Sequence, residues 1–133
     1  MAHKVTVLKI RRGPPDNINQ DLQWVGSSLG LFNQRDKDSS CFRVFITLLK
    51  KTRSADAVTS DDIALKLDLS RGTVVHHLSK LMDAGIVVHL KGGYSLREAN
   101  LQKVIRSLQK DMDTIFGEIQ DVAKEIDSQL GNF

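Results

Sequence analysis

Between Ser70 and Lys91 the sequence concentrates side chains that can bind anions and the edges of nucleotide bases. Arg71 can donate two parallel hydrogen bonds to guanine, and Thr73 can reach a phosphate or a thymine methyl group. Gly72 has no side chain, so the backbone at that position can approach a ligand closely. These residue types predict binding to a polyanion rather than covalent catalysis.

The adjacent histidines His76 and His77 raise the alternative of a metal site. Neighbouring residues on a helix diverge by about 100°, so the two imidazoles cannot chelate one ion from the same face. No second His, Cys or acidic set stands three or four residues away to complete a site. We therefore predict no metal and no cofactor, and we expect both histidines to contact the polyanion or to pack in the fold.

Catalytic signatures are also missing from the sequence. There is no phosphate-cradling glycine loop, no nucleophile elbow and no H-E-x-x-H pattern. Asp61 and Asp62 could be a paired-carboxylate site, but at the first turn of a helix they are better explained as residues that match the helix dipole. We therefore predict that the chain is not an enzyme.

Composition and charge place the chain among soluble binding proteins. Hydrophobic residues make up 41% and charged residues 26%, which is ordinary for a globular protein. Positive charge is concentrated in residues 1–15 and 41–97, while residues 16–40 and 98–133 carry net negative charge. Cys41, the single cysteine, is expected to be a small, partly buried residue, with a thiol sensor as the alternative. We predict a cytoplasmic protein without a secretion signal or membrane partner.

The first of two central helices is predicted to begin after Thr59. Its hydroxyl can cap the helix, and Asp62 stands three residues on, in the capping-box position. The apolar residues spaced for one helix face are Ile63, Ala64 and Leu67.

The second central helix is predicted to begin after Ser70 and to end before Gly85, where a left-handed residue is needed. Its apolar residues Val74, Leu78 and Leu81 recur at i, i+4 and i+7. The opposite face then contains Gly72, Thr73, His76, Ser79, Lys80 and Asp83.

After the second helix, residues 86–96 read as a hairpin around Gly92-Gly93, with His89 and Lys91 on it. Helix, turn, helix and hairpin is the order of a winged helix-turn-helix, whose second helix enters a DNA major groove. We predict a recognition helix over about 70–83 and a wing over 86–96 on the backbone or in the minor groove. The predicted DNA-binding residues are Ser70, Arg71, Gly72, Thr73, His76, His77, Lys80 and Lys91.

The residues before the two central helices predict a strand and two helices, the second of which is the expected first helix of the winged-helix core. Residues 4–10 mix β-branched and polar residues like a strand, which is either anchored through Val5, Val7 and Ile10 or a loose arm along phosphates. A helix capped by Asp16 or Asn17 follows, and its apolar residues are Ile18, Leu22, Val25, Leu29 and Phe32. A second helix is predicted from about Ser40 to Lys51, with Phe42, Phe45, Ile46 and Leu49 on one side.

A long amphipathic helix is predicted for the C-terminal third, with Ser95 and Glu98 as its capping box. Its predicted dimerisation residues are Leu108, Met112, Ile115, Ile119, Val122 and Ile126. Their alternating spacing of four and three residues is typical of a coiled coil. A helix of about 33 residues would be roughly 50 Å long, which a domain of this size cannot cover.

The string LSRGTVVHHLSKLMDAGIVVHLKGGYSL resembles the winged-helix transcriptional regulators of the ArsR-like group. Their recognition helix follows the pattern T-V-x-x-H-L-x-x-L-x-x-A-G-[IL]-[IV]. It falls here on Thr73, Val74, His77, Leu78, Leu81, Ala84, Gly85, Ile86 and Val87. The resemblance covers about residues 40–97 and implies a cytoplasmic DNA-binding dimer.

The resemblance also bears on metal sensing. Metal-sensing members of the group carry cysteine pairs on the helix before the recognition helix, or histidine and acid ligands on the dimerisation helix. Here residues 61–67 contain no cysteine, and no histidine follows His89. Metal-responsive control is therefore not expected.

Together these patterns predict a mainly α (α+β) chain in three parts. Residues 1–39 form a basic strand and amphipathic helix, residues 40–97 the winged helix-turn-helix, and residues 98–133 the dimerisation helix. The predicted function is sequence-specific binding of double-stranded DNA by a homodimeric transcriptional regulator. The alternative is a winged-helix protein–protein module whose long C-terminal helix binds a heterologous partner. The sequence identifies no small-molecule effector.

Overall fold

The computed structural model describes residues 4–13, 17–32, 39–53 and 57–131, and over these residues it contains five helices and one two-stranded antiparallel sheet. In chain order the elements are α1 (Ile18–Ser28), α2 (Ser40–Arg53), α3 (Ser60–Leu67), α4 (Arg71–Asp83), β1 (Val87–Leu90), β2 (Gly93–Leu96) and α5 (Leu101–Leu130). Helices α3 and α4 form the helix-turn-helix, and β1 and β2 form the wing. The predicted winged helix-turn-helix with a long C-terminal helix is confirmed.

Local hydrogen bonds start the helices largely where the sequence predicts. The side chains of Thr59 and Ser70 each accept the backbone N–H three residues on, and Asn17 caps α1 in the same way. Asp16, the other predicted cap of α1, lies outside the described residues. Gly85 follows α4 with φ of +78°, which is the predicted left-handed conformation.

The predicted cap of the C-terminal helix is wrong. Ser95 lies in β2 opposite Val88, and α5 begins at Leu101 with Asn100 as its N-cap. Pairing with β1 holds Ser95 in extended backbone, so the helix can begin only after the strand has ended.

One hydrophobic core joins α2, α3, α4, the wing and the start of α5. Helix α3 contributes Ile63 to it, with Ala64 and Leu67 packed against its edge. The residues that α4 contributes are Val74, Leu78 and Leu81. The predicted apolar faces of both central helices are therefore confirmed.

Helix α2 presents a different face to the core from the predicted one. Its buried apolar residues are Cys41, Val44, Phe45 and Leu48. Of the predicted face, only Phe45 is fully buried, and Phe42, Ile46 and Leu49 are half-buried. Because α2 packs against α3, α4 and β2, its contact surface is wider than a single stripe and is rotated from it.

The N-terminal residues 4–13, called here the N-terminal segment, do not form the predicted strand. The Lys4 N–H donates to the carbonyl of Asp83 at the end of α4, over 3.3 Å. The Leu8 N–H donates to the carbonyl of Ser28 at the end of α1, over 2.6 Å. The free carbonyls of helix ends accept these bonds, and so the segment is anchored without joining a sheet.

Helix α1 is less buried than its apolar spacing predicts. Ile18 is 73% exposed, while Leu22 and Val25 are half-buried. The closest packing of α1 is instead between Gly26 and Phe32, because the ring of Phe32 occupies the space that a Cβ at position 26 would need. The packing of α1 therefore depends on a small residue that hydrophobic periodicity does not register.

Helix α5 divides into a packed half and an exposed half. Val104 and Leu108 are buried in the core, and Met112 is half-buried. Beyond Met112 the large apolar residues are exposed: Ile115, Phe116, Ile119, Val122, Ile126 and Leu130. Leu108, which the sequence assigns to the dimerisation face, is 4% exposed and packs within its own chain. In the described part of the chain, no helix has both the length and the apolarity to cross a membrane.

Arg97 ties the end of the wing to α5. Its guanidinium donates two hydrogen bonds to the carboxylate of Asp111, over 2.5 and 3.1 Å. This bond raises the pKa of Arg97 above its usual value, although burial acts in the opposite direction. The backbone N–H of Arg97 also donates to the carbonyl of Ile86, so α5 is fixed relative to the base of the wing.

The wing is a hairpin in which Leu90 pairs with Gly93. Its two-residue turn is therefore Lys91-Gly92 rather than the predicted Gly92-Gly93. Gly93 has φ of +135°, and a Cβ there would overlap the carbonyl of Val58. Val58 forms two backbone hydrogen bonds with Tyr94, which bring the loop before α3 against the wing.

We predict that Gly93→Ala lowers the free energy of unfolding by about 1–3 kcal/mol, because the new Cβ enters the space of Val58 in a strained backbone conformation. Gly117→Ala is the matched control, since the space around Gly117 is open and alanine favours a helix interior by about 0.5–1 kcal/mol. Urea denaturation followed by circular dichroism measures both. Equal stability of the two variants would contradict the role of Gly93.

Candidate nucleic-acid interface

The N-terminal turn of α4 is built by its cap. The Ser70 hydroxyl accepts the N–H of Thr73 over 3.1 Å and donates to the Thr73 hydroxyl over 2.8 Å. The first intrahelical bond runs from Val74 to Ser70, so the N–H groups of Arg71 and Gly72 precede it. Exposed N–H groups and the positive end of the helix dipole make this turn suitable for an anion.

Arg71 is exposed beside this turn. Its Nε lies 3.5 Å from Oδ1 of Asp61, and both side chains are more than 70% exposed. An exposed ion pair of this kind stabilises a protein by about 0–1 kcal/mol. The pair therefore holds Arg71 near the helix start without preventing it from reaching a ligand. Sequence spacing does not predict this contact, because the two residues belong to different helices.

The two histidines of α4 have different environments. His76 is exposed, whereas His77 is half-buried and its Nδ1 is fully buried. The ring centroids lie 5.5 Å apart. Of the two histidines, therefore, only His76 lies fully on the outer face of α4. Across the described residues, no three His, Cys, Asp or Glu side chains are grouped as a metal site would require.

Lys80 makes a long-range contact that the sequence does not indicate. Its Nζ donates to the carbonyl of Leu31 over 2.7 Å, and the side chain is half-buried. The bond connects α4 to the chain that follows α1, over 49 residues of sequence. Lys80 thus has a structural role as well as its predicted position on the outer side of α4.

The wing presents its basic residue at the tip. Lys91 is exposed in the two-residue turn. Behind it, the rings of His89 and Tyr94 stack with centroids 4.3 Å apart and planes within 4°. The stack pairs the two strands at the end of the hairpin, so the tip carrying Lys91 extends from a supported base.

The central part of the chain matches the model of a known protein family. Residues 49–88 match the family model described as "Bacterial regulatory protein, arsR family". The match covers the end of α2, all of α3 and α4, and the start of β1. No curated protein and no solved structure gives a significant match to the chain.

We predict that Lys80→Met lowers the free energy of unfolding by about 1–2 kcal/mol, because the Leu31 carbonyl loses a charged donor while the apolar stem is kept. Lys103→Met removes the same charge from an exposed helix position and should leave stability unchanged within about 0.5 kcal/mol. Thermal and urea unfolding measure both variants. Identical curves would show that the Lys80 bond does not stabilise the fold.

Proposed function

We propose that this chain, an ArsR-like DNA-binding transcription regulator, binds double-stranded DNA as a homodimer through α4 and the wing. The observation that carries the proposal is the N-terminal turn of α4. It combines a Ser70 cap, an exposed Arg71 and an unobstructed Gly72, within the segment that matches the family.

The proposed contacts divide into base readout and backbone binding. Arg71 reads a base edge, because its guanidinium is exposed and its only described ion pair is weak. Gly72 allows close approach, and the Thr73 hydroxyl is oriented by Ser70. Lys91 binds a phosphate from the tip of the wing, which supports affinity without sequence preference.

Two of the residues predicted to contact DNA also have a role inside the fold. His77 is half-buried, and Lys80 holds the Leu31 carbonyl. We therefore assign to His77 a positioning role for α4. His76 remains the imidazole that faces DNA, one turn beyond Gly72 on the same side of the helix.

The exposed half of α5 supports the homodimer. Helix α5 has 30 residues, about 45 Å at 1.5 Å per residue. Its exposed apolar residues continue into an apolar groove lined by Val7, Trp24, Ile105 and Met112. An apolar surface this continuous is rare on a monomer and is typical of an interaction site.

The Arg97–Asp111 pair would transmit the geometry of such a dimer to DNA. Because it fixes α5 to the base of the wing, a two-fold axis through paired α5 helices also sets the separation of the two α4 helices. A two-fold dimer of this type binds half-sites about one helical turn, ~34 Å, apart or a multiple of that spacing. The proposed target is therefore a pseudo-palindrome.

The alternative of a protein–protein module rests on the same exposed face of α5. A heterologous helix could cover that face as well as a second copy could. The two functions differ in salt dependence and in assembly, and the next two predictions separate them.

For duplex DNA, about 6–10 phosphate contacts per dimer predict that affinity falls about 10³–10⁵-fold between roughly 50 and 200 mM salt. Fluorescence anisotropy with a duplex selected from genomic fragments measures this. Absence of duplex binding at low salt, or a response to salt that is flat, would favour the protein–protein module.

The Arg71 assignment is tested in the same assay. Arg71→Ala should weaken binding to the selected duplex by about 1–3 kcal/mol. The loss should be smaller on duplexes in which the base pair read by Arg71 has been replaced. Asp61→Asn releases Arg71 and should tighten binding by up to about fivefold. A loss that is uniform over all duplexes would reassign Arg71 to the phosphate backbone.

The dimer is tested on α5 itself. Replacing Ile115 and Ile119 by Asp should yield monomers, because four carboxylates would enter the apolar interface at a large desolvation cost. The matched control replaces Thr114 and Gln120 by Asp, which adds the same charge at exposed positions off the apolar face. Light scattering at micromolar concentration measures both. A monomeric parent protein would contradict the homodimer.

A further inference from the structure

The outer face of α4 continues into a concavity of about 370 Å³ beside the N-terminal segment. Helix α4 lines one side of it through His76, Ser79, Lys80 and Asp83. Lys4 and Thr6 of the N-terminal segment line it as well. These four α4 positions follow i, i+3, i+4 and i+7 spacing, so they share one helix face.

The concavity is directly continuous with the face that is proposed to enter DNA. Gly72, Thr73 and His76 lie on the same side of α4, about two to three turns before Asp83. A helix lying in a major groove has phosphates along both of its flanks. A concavity beside its outer face therefore lies where a phosphate can be accommodated.

The basic groups around the concavity are available to an anion. Lys4 is exposed and forms no ion pair with the residues that the structure describes. Lys80 donates one of its three ammonium protons to the Leu31 carbonyl, and the other two can be donated to a ligand. Asp83 opposes them with one negative charge.

The N-terminal segment holds Lys4 in place rather than leaving it on a loose arm. The backbone bond from Lys4 to Asp83 and the bond from Leu8 to Ser28 anchor the segment at two points. Farther along, the indole of Trp24 donates to the Ile10 carbonyl over 3.1 Å. The Lys4 ammonium is therefore presented from an anchored backbone, which reduces the entropy lost when it binds.

We propose that this concavity seats one phosphate of the DNA backbone, bound by Lys4 and Lys80 next to His76. The proposal rests on the proposed function and adds to it Lys4, a DNA contact outside the segment that matches the family. Because a phosphate contact carries no sequence information, its effect on affinity is equal for all duplexes.

The test uses the protein and three variants. Lys4→Ala should weaken binding by a similar factor on the selected duplex and on an unrelated duplex, and should reduce the slope of log affinity against log salt by about 1 per bound protomer. Lys9→Ala is the matched control, because Lys9 is exposed on the same segment but does not line the concavity. Asp83→Asn should tighten binding severalfold, because it removes the opposing charge.

The outcomes distinguish the proposed phosphate site from its alternatives. The proposed phosphate site would be contradicted if the parent and Lys4→Ala had the same slope of log affinity against log salt. It would also be contradicted if Lys4→Ala and Lys9→Ala reduced that slope equally, because this result would indicate only a general attraction of DNA to positive charge. A further outcome is that inorganic phosphate stabilises the free protein against thermal unfolding while Lys4→Ala leaves the salt dependence of DNA affinity unchanged. That combination would assign the site to a free anion and would contradict the proposed DNA contact. Failure of the parent to bind any duplex would instead contradict the proposed function.

Discussion

Burial of the apolar stripe of α4 is the constraint on which the candidate interface depends. Val74, Leu78 and Leu81 are completely buried, and each contributes about 1.5–3 kcal/mol relative to exposure. Since successive residues on a helix differ by about 100°, this burial fixes which side chains face outward. Rotation of α4 by one residue would remove Gly72 and His76 from the outer face, and the proposed contacts with them.

The winged helix-turn-helix is stabilised by chain segments outside the residues that match the family. Lys80 bonds to the chain after α1, Lys4 bonds to the end of α4, and Arg97 bonds to Asp111 of α5. The core likewise includes Leu31 and the first turns of α5. These contacts make the orientation of α4 dependent on both ends of the described chain.

Helix α5 has a buried part and an exposed part that one amphipathic pattern does not distinguish. Its first turns pack through Val104 and Leu108 against the same core that holds α4. From Ile115 onward the same spacing continues, but Ile119 is 56% exposed and its apolar neighbours are exposed too. The change occurs at Met112, because the domain ends there while the helix continues. In the proposed dimer, the first half fixes the direction in which the second half meets its partner.

The sequence by itself determined the features that depend on neighbours a few residues apart. The caps at Thr59 and Ser70, the left-handed Gly85 and the apolar stripe of α4 all follow from bonds or spacings within one or two turns. Tertiary structure alone decided the rest: the anchoring of the N-terminal segment on helix ends, the buried face of α2, the Lys80 bond to Leu31 and the burial of Leu108. Each of these features requires a partner distant in sequence. Hydrophobic periodicity predicts that a helix face is buried, but it does not predict which residues pack against that face.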